Sequence, residues 1–223
     1  MNIALLGKGK TGSKVLELIS KENVTVFDSQ NALTLEKLNG HDVVISFIPG
    51  APFLALIPLL LESKLPVVTG STGFEWPASL NEDLIRLNKT WIWGHNFSMG
   101  INLVKACLET LGKAKSIFPE TIFNVHEIHH KKKLDAPSGT AISFKNWLHQ
   151  DCQITSERKS DVIGIHQLHL KTEFESIKLE HEALDRKVFA NGAIYAANAI
   201  VKKNDMTPGL INFSDFMAEI LKI

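Results

Sequence analysis

The run Gly7-Lys8-Gly9-Lys10-Thr11-Gly12 follows immediately on the apolar tetrapeptide Ile3-Ala4-Leu5-Leu6 and leads into a helical pattern over residues 13–20, where Val15, Leu16, Leu18 and Ile19 are apolar. No other feature restricts the fold as strongly. A lone G-x-G-x-x-G is a weak signal, but between a strand and a helix, at the start of a βαβ unit, it describes a loop that holds a pyrophosphate. The first glycine permits the tight turn, the second lets backbone N–H groups approach the phosphates, and the third lets helix and strand come close. Asp28 ends the next apolar run, Val24-Thr25-Val26-Phe27, 16 residues after Gly12, about where a carboxylate accepts hydrogen bonds from an adenosine ribose. A rival loop, G-x-x-x-x-G-K-[ST], fails on order: Gly12 is followed by Ser13-Lys14, and the hydroxyl must come last to reach a metal. Asp28 repels a 2′-phosphate and so favours NADH, and Ser29 stands where an arginine would argue for NADPH. Lys8 and Lys10 are within reach of such a phosphate, so both cofactors stay open.

The strand–helix rhythm continues for about a hundred residues. Asp42-Val43-Val44-Ile45-Ser46-Phe47, Pro66-Val67-Val68-Thr69 and Thr90-Trp91-Ile92-Trp93 read as strands, and residues 54–61 and 80–87 as helices. Alternation at this spacing predicts an α/β fold, a Rossmann-like doubly wound parallel sheet with helices on both faces. After Asn96 the rhythm changes. A long helical pattern covers 101–114, a β-branched run 121–128, a helix opens at Pro137-Ser138-Gly139-Thr140 and runs to about residue 149, and β-rich runs fill 161–182, including Gln167-Leu168-His169-Leu170 and Ser176-Ile177-Lys178-Leu179. This predicts a second, α+β unit over 100–185. Helical patterns return at 190–203 and 213–221, and their apolar faces need cover, so residues 186–223 are expected to join 1–99 in the first domain.

Charge and composition narrow the function. The 24 basic and 24 acidic residues cancel, which argues against a dedicated nucleic-acid or membrane-surface binder. The longest apolar stretch, 48–61, is interrupted by Pro49, Pro52 and Pro58 and falls short of the roughly 20 residues of a membrane span. The apolar run at 1–6 is too short for a signal peptide. Two cysteines, Cys107 and Cys152, without a C-x-x-C, point to free thiols in a reducing compartment. The expected location is the cytoplasm.

His126-Glu127-Ile128-His129-His130 spells H-E-x-x-H, which on a helix would bind zinc. The preceding Thr121-Ile122-Phe123-Asn124-Val125 instead points to a strand, where His126 and His130 cannot close one site with His129, so no metal is expected. The segment continues as Lys131-Lys132-Lys133-Leu134-Asp135-Ala136-Pro137-Ser138-Gly139-Thr140-Ala141. Basic side chains lead into a helix start marked by Ser138 and Thr140, whose free N–H groups attract anions. The histidines add groups that exchange protons near neutral pH. Together they describe a site for a small acid beside a dinucleotide domain.

Glu127, His129, His130, Lys133, Asp135, Ala136, Pro137, Ser138, Gly139, Thr140 and Ala141 meet the pattern E-x-H-H-x-x-K-x-D-A-P-S-G-T-A, and by it the chain resembles the dihydrodipicolinate reductase family. Gly70-Ser71-Thr72-Gly73-Phe74 is similar to the family's G-T-T-G-F loop beside the nicotinamide, Asn96-Phe97-Ser98-Met99-Gly100-Ile101-Asn102 to its N-F-S-x-G-V-N hinge, and Phe189-Ala190-Asn191-Gly192-Ala193 to its F-A-x-G-A return. The resemblance spans the whole chain. It implies NAD(P)H-dependent reduction of 4-hydroxy-tetrahydrodipicolinate in the diaminopimelate route to lysine, a substrate-binding and oligomerisation role for 100–185, and a homotetramer. It implies His129 as the acid–base residue and Lys133 as a second proton donor. It implies His130, Lys133, Gly139 and Thr140 as holders of the substrate carboxylates. The cofactor would be lined by Gly7, Lys8, Gly9, Lys10, Thr11, Gly12, Asp28, Gly70, Ser71, Thr72, Gly94, His95, Asn96 and Phe97. The chain departs from the pattern in its short link over 29–41, in Phe47-Ile48-Pro49-Gly50, to which no role is carried, in Ser71, which replaces a threonine, and in Gly94-His95.

Three other readings compete: a nucleotide-binding protein without turnover, opposed by the intact His-His-Lys and Ser-Gly-Thr residues; a zinc hydrolase, opposed by the strand context; and a different reductase or amino-acid dehydrogenase of similar architecture.

Overall fold

Short runs with no polar face, such as Ile3–Leu6, are what strands covered on both sides require, and the computed structural model of the chain builds them into a parallel sheet. It describes residues 1–131, 133–159, 162–202 and 206–222. Lys132 of the basic run, Asp161 at the start of the expected β-rich stretch, and Lys203 at the end of the expected helix lie outside the described residues. In chain order the first unit has β1 (Ile3–Leu6), α1 (Gly12–Leu18), β2 (Val24–Phe27), β3 (Val43–Ser46), α2 (Gly50–Glu62), β4 (Val67–Thr69), α3 (Leu80–Arg86) and β5 (Thr90–Trp93). A second unit follows, with α4 (Met99–Leu111), β6 (Ile122–His129), α5 (Gly139–Leu148), β7 (Gln153–Arg158), β8 (Ile165–Lys171) and β9 (Ser176–Glu182). The chain then adds α6 (Lys187–Lys202), β10 (Gly209–Asn212) and α7 (Phe213–Leu221). The first unit comprises Met1–Ser98 and Arg186–Lys222, the second Met99–Asp185.

The six strands of the first unit run parallel in the order β10-β5-β4-β3-β1-β2. Strand order reverses at β1, so the edge beyond the carboxyl ends of β1 and β3 is the place where such sheets bind ligands. Residues on one face, Ala4, Leu6, Val44, Val67 and Trp91, pack with Phe53, Ile57 and Leu60 of α2 and Leu80 and Leu84 of α3. On the other, α6 lies against β3 and β4 and carries α1. The doubly wound α/β architecture expected from the sequence is therefore the observed one.

The second unit is a four-stranded sheet in the order β7-β6-β8-β9, with β6 and β7 parallel and the other pairs antiparallel. One face is covered by α4 and α5, whose Ile101, Val104, Leu108, Phe144 and Leu148 pack with Phe123, Val125, Leu168 and Leu170. Residue 138 caps α5: the Ser138 hydroxyl accepts a hydrogen bond from Ala141 N–H at 3.2 Å.

Several elements differ from expectation. α2 begins at Gly50 rather than at residue 54, because Pro52 falls in its first turn, where a backbone N–H has no acceptor in any case. α4 stops at Leu111 and tightens into a 3-10 turn at Gly112–Ser116. At Gly112 a Cβ would lie 2.0 Å from the Leu148 carbonyl oxygen, so the glycine is needed for that close approach. β7 and β10 were not anticipated at all. Among the described residues no helix is long and apolar enough to cross a membrane.

Candidate functional site

The parallel register gathers the expected cofactor residues of the first unit along one sheet edge. Phe27, Leu6, Ser46, Thr69 and Trp93, the last residues of five strands, stand side by side. Gly7–Gly12, Asp28, Gly70–Thr72 and Gly94–Phe97 are the segments that leave those ends. Within the loop each glycine has its own reason. Gly7 takes a left-handed conformation with φ of 86°, and a Cβ there would meet Ile48 at 2.6 Å. At Gly12 a Cβ would lie 2.1 Å from the Gly7 carbonyl oxygen, so the third glycine lets the helix start close over the loop's own backbone rather than over the strand. At Gly9 a Cβ would meet nothing within 4 Å, which leaves the open approach a pyrophosphate needs. Asp28 is ion-paired with Lys8 at 2.8 Å and accepts N–H bonds from Gln30 and Asn31. The Lys8 hydrogen bond, with that from Gln30, holds its carboxyl below the usual range. The residues present thus fit a dinucleotide.

Lys10 and Thr72 are exposed and Thr11 and Asn96 half-buried. Exposed His95 stands edge-on to Trp93 at 5.2 Å between ring centroids. Buried Ser71 shares a 3.0 Å hydrogen bond with Ser46. Phe97 requires a correction. Its side chain is 1% exposed, set against Phe47 and Phe213 and overlain by Gly70 and Gly94. The ring belongs to the core, and the Phe97 carbonyl lies against Gly192 of α6.

In the second unit the motif's histidines lie on β6, which ends at His129. Register decides their surroundings. Ser156, Glu127, His166 and His181 form one row across β7, β6, β8 and β9, and His129, two residues beyond Glu127, points to the same face. The Glu127 carboxylate is 0% exposed. Both its oxygens accept from Ser138 N–H at 3.1 Å, and Oε1 also accepts from Ser156 Oγ at 2.8 Å and from the Arg158 guanidinium at 3.4 Å. Burial alone would raise this carboxyl, but the hydrogen bonds from Ser138 and Ser156 outweigh it and the group stays ionised below its usual range.

Buried His129 has Nδ1 3.4 Å from Glu127 Oε2 and its ring 4.9 Å from that of His166, edge to face. Burial lowers its pKa; Glu127 and Asp135 oppose the fall, and Lys133 and Arg158 add to it. His166 Nε2 shares a 3.2 Å hydrogen bond with Ser138 Oγ, and burial together with His129 takes this imidazole down to about 3, so it is neutral at physiological pH. Lys133 is paired with Asp135 at 2.8 Å, while Arg158 donates to the carbonyls of Lys133 and Asp135 and pins the loop that carries them. His130 is half-buried, and its Nδ1 has no hydrogen-bond partner among the described residues. Gly139 is exposed and Thr140 half-buried in the first turn of α5. The ligating atoms of Glu127, His129 and His166 lie within 4.8 Å of one another. Arg158 already supplies the countercharge there, and the serines take the carboxylate's lone pairs. We therefore read the cluster as a hydrogen-bonded one.

Sequence reasoning assigned no role to Glu127, Ser156, Arg158 or His166. With Ile154 as its one apolar residue, β7 carries little strand signal, and which residue of one strand faces which of another is not written in either segment.

A six-strand parallel sheet with a dinucleotide-type glycine loop, joined in sequence to a unit with a buried histidine–glutamate cluster, points to the class, a nicotinamide-dependent oxidoreductase. Residues 100–217 match the family model described as the C-terminus of dihydrodipicolinate reductase. The chain is 31% identical over 98% of its length, and 99% of the relative's, to a 4-hydroxy-tetrahydrodipicolinate reductase of Thermosipho africanus. It is 29% identical over the full length of both chains to one from Christiangramia forsetii. Among solved structures, a dipicolinate-bound dihydrodipicolinate reductase from a Paenisporosarcina species aligns with a TM-score of 0.76 at 22% identity, covering 95% of this chain and 97% of that one. The chain belongs to the dihydrodipicolinate reductase family.

Proposed function

We propose that the protein reduces 4-hydroxy-tetrahydrodipicolinate, through its dehydrated dihydrodipicolinate form, to tetrahydrodipicolinate in the diaminopimelate route to lysine. The observation that carries this reading is the joint placement of an ionised, buried Glu127, His129 and the Lys133 loop against the capped start of α5, in a chain of this family. Gly7, Gly9 and Gly12 hold the cofactor's pyrophosphate and Asp28 its ribose; when bound, the nicotinamide supplies the hydride. Lys133, His130 and the N–H groups at Gly139 and Thr140 bind the two carboxylates of the substrate. A C=N conjugated to C=C accepts hydride at the far carbon, electrons move toward nitrogen, and a proton completes the product. His129 delivers it from its imidazolium form, and Lys133 assists. A proton donor held in place contributes about 10²–10⁴-fold. Loss of reduced-nicotinamide absorbance with the dihydrodipicolinate mixture tests the activity; no turnover with that mixture, and turnover with another imine acid, would replace this reading. We take the assembly to be a homotetramer and the location to be cytoplasmic, in line with the family.

Lys133→Ala is expected to raise KM and lower kcat together, each by roughly tenfold or more, because charged hydrogen bonds contribute about 1.5–3 kcal/mol and proton delivery is lost with them. Steady-state kinetics check this, and an unaltered KM would count against carboxylate binding by Lys133.

Both cofactors are accommodated, with a lean to NADH. Asp28 faces the ribose hydroxyls of NADH, and its ion-pair partner Lys8 is the countercharge for the 2′-phosphate of NADPH. Lys8→Ala should weaken NADPH by roughly tenfold, the equivalent of about 1.4 kcal/mol, and leave NADH nearly unchanged. Paired titrations decide; equal losses for both would remove Lys8 from this role.

A further inference from the structure

The acid–base histidine is buried beside a carboxylate to which its reaction assigns no chemistry. Nδ1 of His129 is out of contact with solvent and has no well-formed hydrogen bond among the described residues; its nearest acceptor is Glu127 Oε2, at 3.4 Å. The opposite edge of the ring looks onto Gly164, where a Cβ would lie 3.1 Å from Nε2 and 3.3 Å from Cδ2. One nitrogen thus faces a fixed anion, and the other lies beside Gly164, where even a methyl group would crowd it. The anion itself has little freedom: Ser138 N–H, Ser156 Oγ and Arg158 hold it from the start of α5 and from β7, and His166 Nε2 stands 3.9 Å from the same Oε2.

We propose that Glu127 is a positioning residue that holds His129 in its Nδ1–H tautomer, so that Nε2 is the atom that gives up and regains the proton. This rests on the reading of His129 as the acid–base residue. In water the imidazole favours the other tautomer, so the arrangement must be imposed. An Nδ1 lone pair facing the Glu127 carboxylate would be repelled, whereas Nδ1–H is attracted. The same carboxylate stabilises the imidazolium once the ring is charged. The groups that face His129 are Glu127 on its own strand, Arg158 on β7, His166 on β8 with His181 behind it on β9, and Lys133 and Asp135 in the loop beyond. Glu127 is the one anion of this set that is fully buried. His166, neutral and hydrogen-bonded to the Ser138 hydroxyl, fills the space beside the pair without adding charge.

The test has two arms. In the unmodified, ¹⁵N-histidine-labelled protein, with the His129 signals assigned by comparison with His129→Gln, neutral His129 should show its pyrrole-type resonance at Nδ1. A pyrrole-type Nε2 overturns the proposal, and this arm does not depend on any variant at position 127 folding. In the second arm Glu127→Gln should lower kcat by roughly tenfold or more with KM little altered, as expected when an acid–base histidine loses its orienting carboxylate. The alkaline limb of its kcat/KM profile should move to lower pH, because the anion that favoured imidazolium is gone. A merely structural role would reduce the active fraction and leave that limb in place, which would overturn the proposal. If His129→Gln keeps full turnover, the underlying functional reading fails. If it is impaired while Glu127→Gln keeps both its kcat and its alkaline limb, only the positioning role fails.

Discussion

His129→Gln is expected to lower kcat by about 10²–10⁴-fold, the usual contribution of a positioned general acid, with substrate affinity nearly intact. The geometry gives the reason for the split. In the proposed reading carboxylate binding falls to Lys133, His130 and the first turn of α5, whereas the imidazole at the end of β6 faces Glu127 and Gly164. A glutamine keeps much of the volume and one hydrogen-bonding edge but has no proton to give. The pH dependence follows from the surroundings. Burial, Lys133 and Arg158 together push the imidazole below its ordinary value against Glu127 and Asp135, so the free enzyme should lose kcat/KM as pH rises through a value under the usual histidine range. A bound dicarboxylate adds negative charge beside the ring and favours its protonated form, so the corresponding limb for kcat should lie higher. Steady-state profiles of the wild type and the variant measure all of this. A large rise in KM with unchanged kcat would show that His129 binds substrate rather than protonates it.

Gly192→Ala is expected to produce the largest loss of stability. Gly192 is the glycine of Phe189-Ala190-Asn191-Gly192-Ala193 and lies on the buried side of α6. A Cβ there would sit 1.8 Å from the Phe97 carbonyl oxygen and 2.9 Å from its carbon. Backbone cannot swing aside as a flexible side chain does, so either the helix or the segment after β5 must shift. Overpacking of this kind costs about 3 kcal/mol or more, and for a chain of this size the melting temperature should fall by roughly 5–10 °C. Circular dichroism melts would record it, and an unshifted Tm would mean that α6 and residue 97 are not held together in solution. Phe97 also meets Phe213 at 4.6 Å, so the disturbance should spread to the start of α7.

Much of this could be read from the chain before any coordinates. The glycine loop, the alternation of Val/Ile-rich runs with helices, and the long His-to-Thr motif each carry local signals that survive folding unchanged. The failures are equally physical. β10 is a four-residue strand, Gly209–Asn212, held to β5 by register and to α3 by an Asn81 side chain that accepts from Leu210 N–H at 2.9 Å; so short a run has no periodicity to detect. β7 alternates only weakly because, on its inner face, Ile154 packs against the apolar core while Ser156 and Arg158 turn to the polar cluster. The motif around Phe97 points to a ligand-lining role for it, yet Gly70 and Gly94 make room for its ring inside. Glu127 was visible as a letter in a motif, but its five neighbours come from three strands and a helix start, and only pairing brings them together.

The row through Ser156, Glu127, His166 and His181 subjects this chain to a parity rule. Side chains alternate along a strand, so gaining or losing one residue within β6 or β8 would send the carboxylate and the imidazoles to opposite sides of a sheet that still forms. Such a protein would be well ordered and inert. Variation in length is therefore confined to the connections, or enters the strands two residues at a time, and anyone transplanting these groups to another scaffold must copy the pairing offsets before the amino acids.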